Sequence, residues 1–253
     1  MKKILALLLA ALMVGSMMTG CTKQEATSGE ESAQTQQTES EAKEEPVEEE
    51  TQAAFTGAYI ADPEYIKSKI GSEDVIFIDA RGADAAKKGT IEGAIATAWQ
   101  PLARCAEGAS GDEMWGTILP LDQLSEVLSS IGITPDKEII LFSDGKDGWG
   151  DDGRIAWELL AVGFENVKIA DRGFSALKEA GVPTQKGAAE FTPAEVTVSE
   201  LDETHLINTD ALVETYDSVK VVDVRADEEY NGEVLYGEKA GGHLPGAIHN
   251  PLY

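Results

Sequence analysis

The chain has 253 residues, with 46 acidic side chains against 20 basic ones and a formal charge of −26. That balance excludes a general affinity for nucleic acid, whose phosphates need Lys and Arg, and docking on anionic lipid through a basic patch. Two cysteines exclude a disulfide scaffold and any CxxC-type zinc module, while a hydrophobic share of 42% is enough for a real core in one or two domains.

Residues 1–20 read as an address label. Lys2 and Lys3 precede an apolar run over 4–14. The run is too short to span a bilayer, which takes about 20 apolar residues, but it has the length of a signal-peptide core. It leads into Met18-Thr19-Gly20-Cys21. Small residues placed there before a cysteine resemble the lipobox of bacterial lipoproteins, with Met18 where Leu is commoner. The resemblance implies that 1–20 is a lipoprotein signal peptide and that Cys21 is diacylated and becomes the mature N-terminus. Two or three acyl chains anchor a protein stably where one is marginal. An ordinary secretory signal with a chance cysteine is the alternative. We therefore expect export and a lipid anchor on the extracytoplasmic side of a bacterial cell membrane.

Residues 21–56 are expected to be a disordered acidic linker. Between 22 and 52, ten Glu face two Lys, and Val47 is the only large apolar side chain. Such a stretch buries too little surface to offset chain entropy, and its like charges extend it. It reads as a stalk; metal binding by the Glu run is the alternative. With Cys21 lipidated, Cys105 is the one thiol left, so no internal disulfide forms, which suits an oxidising compartment.

Alternating elements follow from 57 to 188. Asp62-Pro63 reads as a helix cap with Pro at the first position, and Gly71 ends that helix. The apolar run 75–78 is a strand buried on both faces. Leu121, Leu124, Val127, Leu128 and Ile131 recur at helical spacing up to Gly132. A second buried strand covers 139–142, a helix 154–162, a third strand 167–170 and a short helix 174–179. Strands alternating with helices predict an α/β fold, a doubly wound parallel sheet with helices on both faces.

A second copy then begins, after an inter-domain linker over 189–206. Asp79 and Arg81 align with Asp223 and Arg225 at an offset of 144, and 93–95 aligns with 246–248 at an offset of 153. The second copy thus carries about nine extra residues between these landmarks, and the helix before each strand repeats at 62–70 and 208–216. A repeat this long means duplicated domains, since solenoid units run to about 20–50 residues.

Asp223-Val224-Arg225, then Glu228-Glu229-Tyr230 and Gly242-His243-Leu244-Pro245-Gly246-Ala247, resemble the first signature of the rhodanese family. The first copy has a weaker form, with Thr90 where His is usual and Glu92 where Pro is usual. Gly163-Phe164-Glu165-Asn166-Val167 and Arg172-Gly173-Phe174 are similar to the family's strand and its Gly-Gly-aromatic turn. The resemblance covers 58–187 as a whole domain and 207–253 as the opening of a second, incomplete one. It implies a tandem sulfurtransferase of the thiosulfate type, acting on a small sulfur-containing anion. In that chemistry a cysteine thiolate, its pKa lowered by converging loop N–H groups and a helix dipole, takes sulfane sulfur as a persulfide and passes it to an acceptor.

The loop where the resemblance places that cysteine is residues 143–154 in the first copy, and it holds none. Four Asp stand there against Lys146 and Arg154. Asp144 and Arg154, with Trp157, resemble the inactive N-terminal half of tandem members, and we expect Asp144 to accept hydrogen bonds from loop amides. Asp151 or Asp152 is expected to cap the following helix. Calcium binding by the four Asp is the alternative, although their spacing is not that of an EF-hand. Cys105 lies at the wrong end of the domain and reads as a small half-buried residue. In the second copy Asp223, Arg225 and His243 are the candidate pocket-lining residues. A structural role in holding the strand–turn–strand unit is favoured for Arg225 and His243, which could orient a loop carbonyl. Glu229 stands where some relatives carry a substrate-contacting Arg. No catalytic residue, cofactor, metal site or nucleic-acid partner is expected from these residues, and oligomeric state is left open.

Three readings follow. The chain is part of a lipid-anchored tandem sulfurtransferase, the gene continuing past Tyr253 by about 80 residues on the measure of the first copy; or a non-catalytic rhodanese-like binding module; or a phosphatase-like relative, which also needs a loop cysteine.

Overall fold

The computed structural model describes residues 57–106 and 108–251. Cys21, the signal segment and the whole acidic linker over 21–56 lie outside the described residues. Among the described residues no helix is long and apolar enough to cross a membrane.

The chain enters through β1 (Ile60–Ala61) and α1 (Pro63–Lys69). Asp62 is the N-cap of α1, its Oδ1 accepting the Tyr65 N–H at 2.7 Å, and Pro63 follows as expected. Next come β2 (Val75–Asp79), α2 (Ala83–Ala86), β3 (Thr90–Ile91) and β4 (Ile95–Ala96). After a long excursion, α3 (Leu121–Ile131) ends at Gly132, whose φ of 72° is the left-handed conformation that glycine adopts without strain. Then β5 (Glu138–Phe142), α4 (Asp151–Ala161), β6 (Val167–Ala170), α5 (Gly173–Glu179) and β7 (Thr184–Gln185) complete the first copy.

The main sheet has the order β1-β6-β5-β2-β4, and every pairing in it is parallel. Successive side chains of a strand point to opposite faces, so each buried strand feeds two cores. Ile139 and Leu141 of β5 join Ile78, Leu124, Leu128, Ile155 and Leu159 on the face covered by α3 and α4. Ile140 and Phe142 join Phe77, Ile66 and Leu177 on the face covered by α1 and α5. The expected doubly wound α/β architecture is borne out. The edge strand β1 escaped sequence reading because two residues carry no periodicity.

The first core does not stop at 188. Val196 and Val198, in the segment read as a linker, are buried against α3. The hydroxyls of Ser125 and Ser129 accept from the N–H groups of Val198 and Val196, both at 3.0 Å, and so substitute for a missing strand partner.

The second copy comprises α6 (Thr209–Thr215), capped by Asn208, then β8 (Val222–Asp223), α7 (Asp227–Asn231) and β9 (Ile248–His249). β8 pairs in parallel with β9, Val222 opposite Ile248, as β2 pairs with β4 with Ile78 opposite Ile95. The β2–β4 pairing is thus repeated, but β8 has β9 as its sole strand partner among the described residues.

Candidate functional site

Ligands of open parallel α/β sheets bind beyond the carboxyl ends of the strands. Here that edge is formed by the loop after β5, the end of β2 and the turn before α5. Phe174 donates its N–H to Ser143 O at 2.8 Å, and a Cβ on Gly173 would lie 2.5 Å from both Ser143 O and Gly145 N. Only glycine permits this approach, so Gly173 presses the turn before α5 onto the loop. The neighbouring Arg172 takes a left-handed φ of 58° where a glycine is the easier residue.

Asp144 sits directly in that loop with its carboxylate half exposed. Its partner is not a loop amide, as the sequence suggested. Arg81 Nη1 approaches Asp144 Oδ1 at 3.4 Å, and loop N–H groups bond to backbone carbonyls instead. Asp151 and Asp152 are not the helix cap either. Gly150, at a φ of 77°, is the N-cap of α4 and has no capping side chain. The two Asp occupy the first turn, where the helix dipole favours anions, and Asp152 Oδ1 accepts the Gly153 N–H at 2.9 Å. Burial first, then the charges of Asp152 and Asp144, push the Asp151 carboxyl above its ordinary value.

Both cations of the loop are engaged. Lys146 lies 3.5 Å from Asp147 in an exposed pair. Arg154 folds back, its Nη2 donating to Gly116 O at 2.6 Å and to Glu158 Oε1 at 2.9 Å, with the guanidinium over Trp99 and Trp157. Glu158 is 1% exposed, and its Oε2 has no hydrogen-bond partner among the described residues. Burial raises its pKa to about 6 even though Arg154 pulls the other way. An open cleft of about 450 Å³ lies between Trp99, Gln100, Trp149, Gly150, Asp151 and Arg154. Aromatic walls, a carboxylate and an Arg already bonded to Glu158 do not make an anion cradle.

Cys105 is half-buried in the excursion between β4 and α3, outside this loop. Among the described residues no group of three or more His, Cys, Asp or Glu side chains converges as a metal site. The four Asp of the loop are therefore not gathered around a common centre.

The second copy rebuilds one feature of the first in detail. Arg225 Nε and Nη2 donate to Asp223 Oδ1 and Oδ2 at 3.0 and 2.6 Å, and Nη2 also donates to Gly242 O at 2.8 Å. These hydrogen bonds hold Asp223 down to a pKa of about 2, with the Arg225 side chain as the largest cause. His243 Nδ1 lies 2.8 Å from Tyr230 O, so the carbonyl it meets is that of the last turn of α7 and not, as the sequence suggested, one in a loop. Sequence reading missed how the imidazoles are used. His243 and His249 both stack on Tyr230, with ring centroids at 3.7 and 4.0 Å, and His249 Nε2 lies 2.9 Å from Arg225 O. The structure thus gathers Asp223, Arg225 and His243 around one strand–turn–strand unit, and places Asp144 and Arg154 at the loop of the first copy.

Comparison with known proteins follows the same lines. The sequence profile of the family described as Rhodanese-like domain matches residues 62–180. A thiosulfate sulfurtransferase of Azotobacter vinelandii is 23% identical over 192 residues, covering 75% of this chain and 68% of its own. A relative in Mycolicibacterium smegmatis that bears the same name provisionally is 24% identical over 200 residues, covering 76% of this chain and 69% of its own. Among solved structures, SseA of Escherichia coli, described as a 3-mercaptopyruvate sulfotransferase with the rhodanese fold, superposes with a TM-score of 0.62. It is 20% identical, and the match covers 77% of this chain and 75% of that one. At that identity the likeness speaks for the fold.

Proposed function

We propose that this chain, whose residues 62–180 are a rhodanese-like domain, is a lipid-anchored member of the thiosulfate sulfurtransferase kind in which the first domain, 57–188, carries no catalysis. Residues 207–253 are read as the opening of a second rhodanese-like domain, and Cys21 as the acylated N-terminus of the mature protein. The low-identity sulfurtransferase relatives support a sulfur-bearing anion as substrate class.

The observation that carries the first-domain assignment is the loop after β5. Sulfurtransfer needs a thiolate stabilised by loop N–H groups, and positive potential to hold the donor. Here Asp144 stands in the loop, and Arg154 is spent on Glu158 and Gly116 O. The reading of this chain as a non-catalytic binding module draws on the same loop; the sulfurtransferase relatives favour the first reading. Purified residues 21–253 are expected to show no thiosulfate:cyanide sulfurtransfer above buffer, and Cys105→Ser to change nothing. Turnover that Cys105→Ser abolishes would overturn this placement of the site.

A further inference from the structure

The second copy exceeds the first by about nine residues between the Asp-x-Arg pair and the Gly-Ala-Ile landmark. The structure shows where part of that surplus goes. Ser110 donates its hydroxyl to Tyr236 O at 2.8 Å. Gly111 and Gly237, both at positive φ, bring their backbones together: a Cβ on Gly111 would lie 2.7 Å from Gly237 O, and one on Gly237 would lie 2.9 Å from Ser110 O. Neither position has room for a side chain. The ring of Tyr236 meets Trp149 edge-on, with centroids 5.9 Å apart and planes at 86°, a favoured aromatic geometry.

From these contacts we propose that residues 233–240 are a docking tongue, by which the second copy seats itself on two loops of the first domain, 108–112 and 148–150. The tongue is stiffened from within, since Glu238 Oε2 accepts the Tyr236 N–H at 2.9 Å. Its root is held by Arg225, which donates to Gly242 O immediately beyond the insertion. A contact at Trp149 is therefore linked through a short, internally bonded segment to the Arg225–Asp223 pair. The loop after β5 becomes the seat of the partner segment. This gives Trp149, the one aromatic residue in a loop otherwise made of Ser, Gly, Asp, Lys and Arg, a neighbouring ring to meet.

The inference concerns docking and does not depend on sulfur chemistry, so its test reads amide exchange in the full chain. Trp149→Ala, Tyr236→Ala and the double variant are compared by hydrogen-exchange mass spectrometry, with peptides over 222–225 and 247–250 as the readout. Peptides over 139–142 control for global unfolding. Each single substitution is expected to speed exchange in the readout peptides by about three- to tenfold, the size of one aromatic pair. The double variant should go no further than the larger single, because both remove one contact. Gly111→Ala, which leaves both rings in place, should reproduce the effect. Unchanged exchange in the single variants, or effects that multiply in the double, would overturn the proposal.

Discussion

Arg81 grips Asp79 through two parallel hydrogen bonds, Nε to Oδ1 at 2.8 Å and Nη2 to Oδ2 at 2.7 Å, at the carboxyl end of β2. Nη2 also donates to Gly89 O, and the guanidinium lies 4.0 Å over the Phe174 ring. Asp79 is fully buried and Arg81 nearly so. The pair therefore fastens strand, turn and α5 together from one point. Removing the cation strands a buried carboxylate, which typically costs about 3–5 kcal/mol. Arg81→Ala should lower the urea midpoint of the first domain accordingly. Arg225→Ala, which removes a side chain 37% exposed, should cost less, about 1 kcal/mol. Equal losses at the two sites would contradict this ranking by burial.

Glu158 gives a pH signature with a definite sign. Its folded pKa of about 6 lies above the ordinary 4.5, so between these values the folded state binds more protons than the unfolded one. Stability falls as pH rises through that window, and the penalty is complete above about pH 6. Taken at one pKa unit per about 1.36 kcal/mol, the effect is on the order of 2 kcal/mol. Glu158→Gln keeps an oxygen for Arg154 and removes the buried charge. Denaturant titrations at pH 4.5 and 7 should show the wild type losing stability relative to Glu158→Gln across that interval. A constant difference between the two proteins would show that Glu158 does not titrate there.

The sheet was legible because its strands are buried on both faces. Runs such as 75–78 and 139–142 announce themselves without any partner in view, and Asp62-Pro63 marks a helix start by chemistry that is local. The duplicated Asp-x-Arg pair was legible for the same reason, since its geometry closes within a few residues. What escaped depends on distant neighbours. Asp144 turned to Arg81, 63 positions away, and that contact has no local sequence signal. Val196 and Val198 look like linker residues until α3 supplies Ser125 and Ser129. Glu158 was within reach, because it stands four residues after Arg154 on one helix face. Its burial, which makes it titrate unusually, was not.

The anchor assignment rests on Met18-Thr19-Gly20-Cys21 at the end of an apolar run. Metabolic labelling with a radioactive fatty acid is expected to mark the wild-type protein and leave Cys21→Ser unmarked. The variant should also partition to the aqueous phase after detergent phase separation. Equal labelling of both proteins would rule out acylation at this cysteine.

Asp144 offers the sharpest test of the proposal that the first loop is silent. If the missing thiol were the whole deficiency, Asp144→Cys would restore transfer, since the loop already leads into α4 and is braced by Gly173. The electrostatics argue otherwise. Asp147, Asp151 and Asp152 remain in the same loop and first helical turn, and Asp151, which feels the charge at position 144, already has its carboxyl raised above the ordinary value by burial and by its neighbours' charge. Arg154 cannot serve a donor anion without leaving Glu158 buried and unpaired, at a cost typical of a broken buried ion pair. A negative surround also raises a thiol's pKa and withholds the thiolate that attacks sulfur. Asp144→Cys is therefore expected to give no thiosulfate:cyanide turnover above background, and slow alkylation by iodoacetamide at pH 7. Pairing it with Glu158→Gln and Asp151→Asn, which leave Arg154 only neutral acceptors and so strengthen its positive potential while removing a carboxylate from the loop, should speed alkylation at the new cysteine. Brisk turnover by Asp144→Cys alone would show that the acidic surround and the engaged arginine are not what silences this loop.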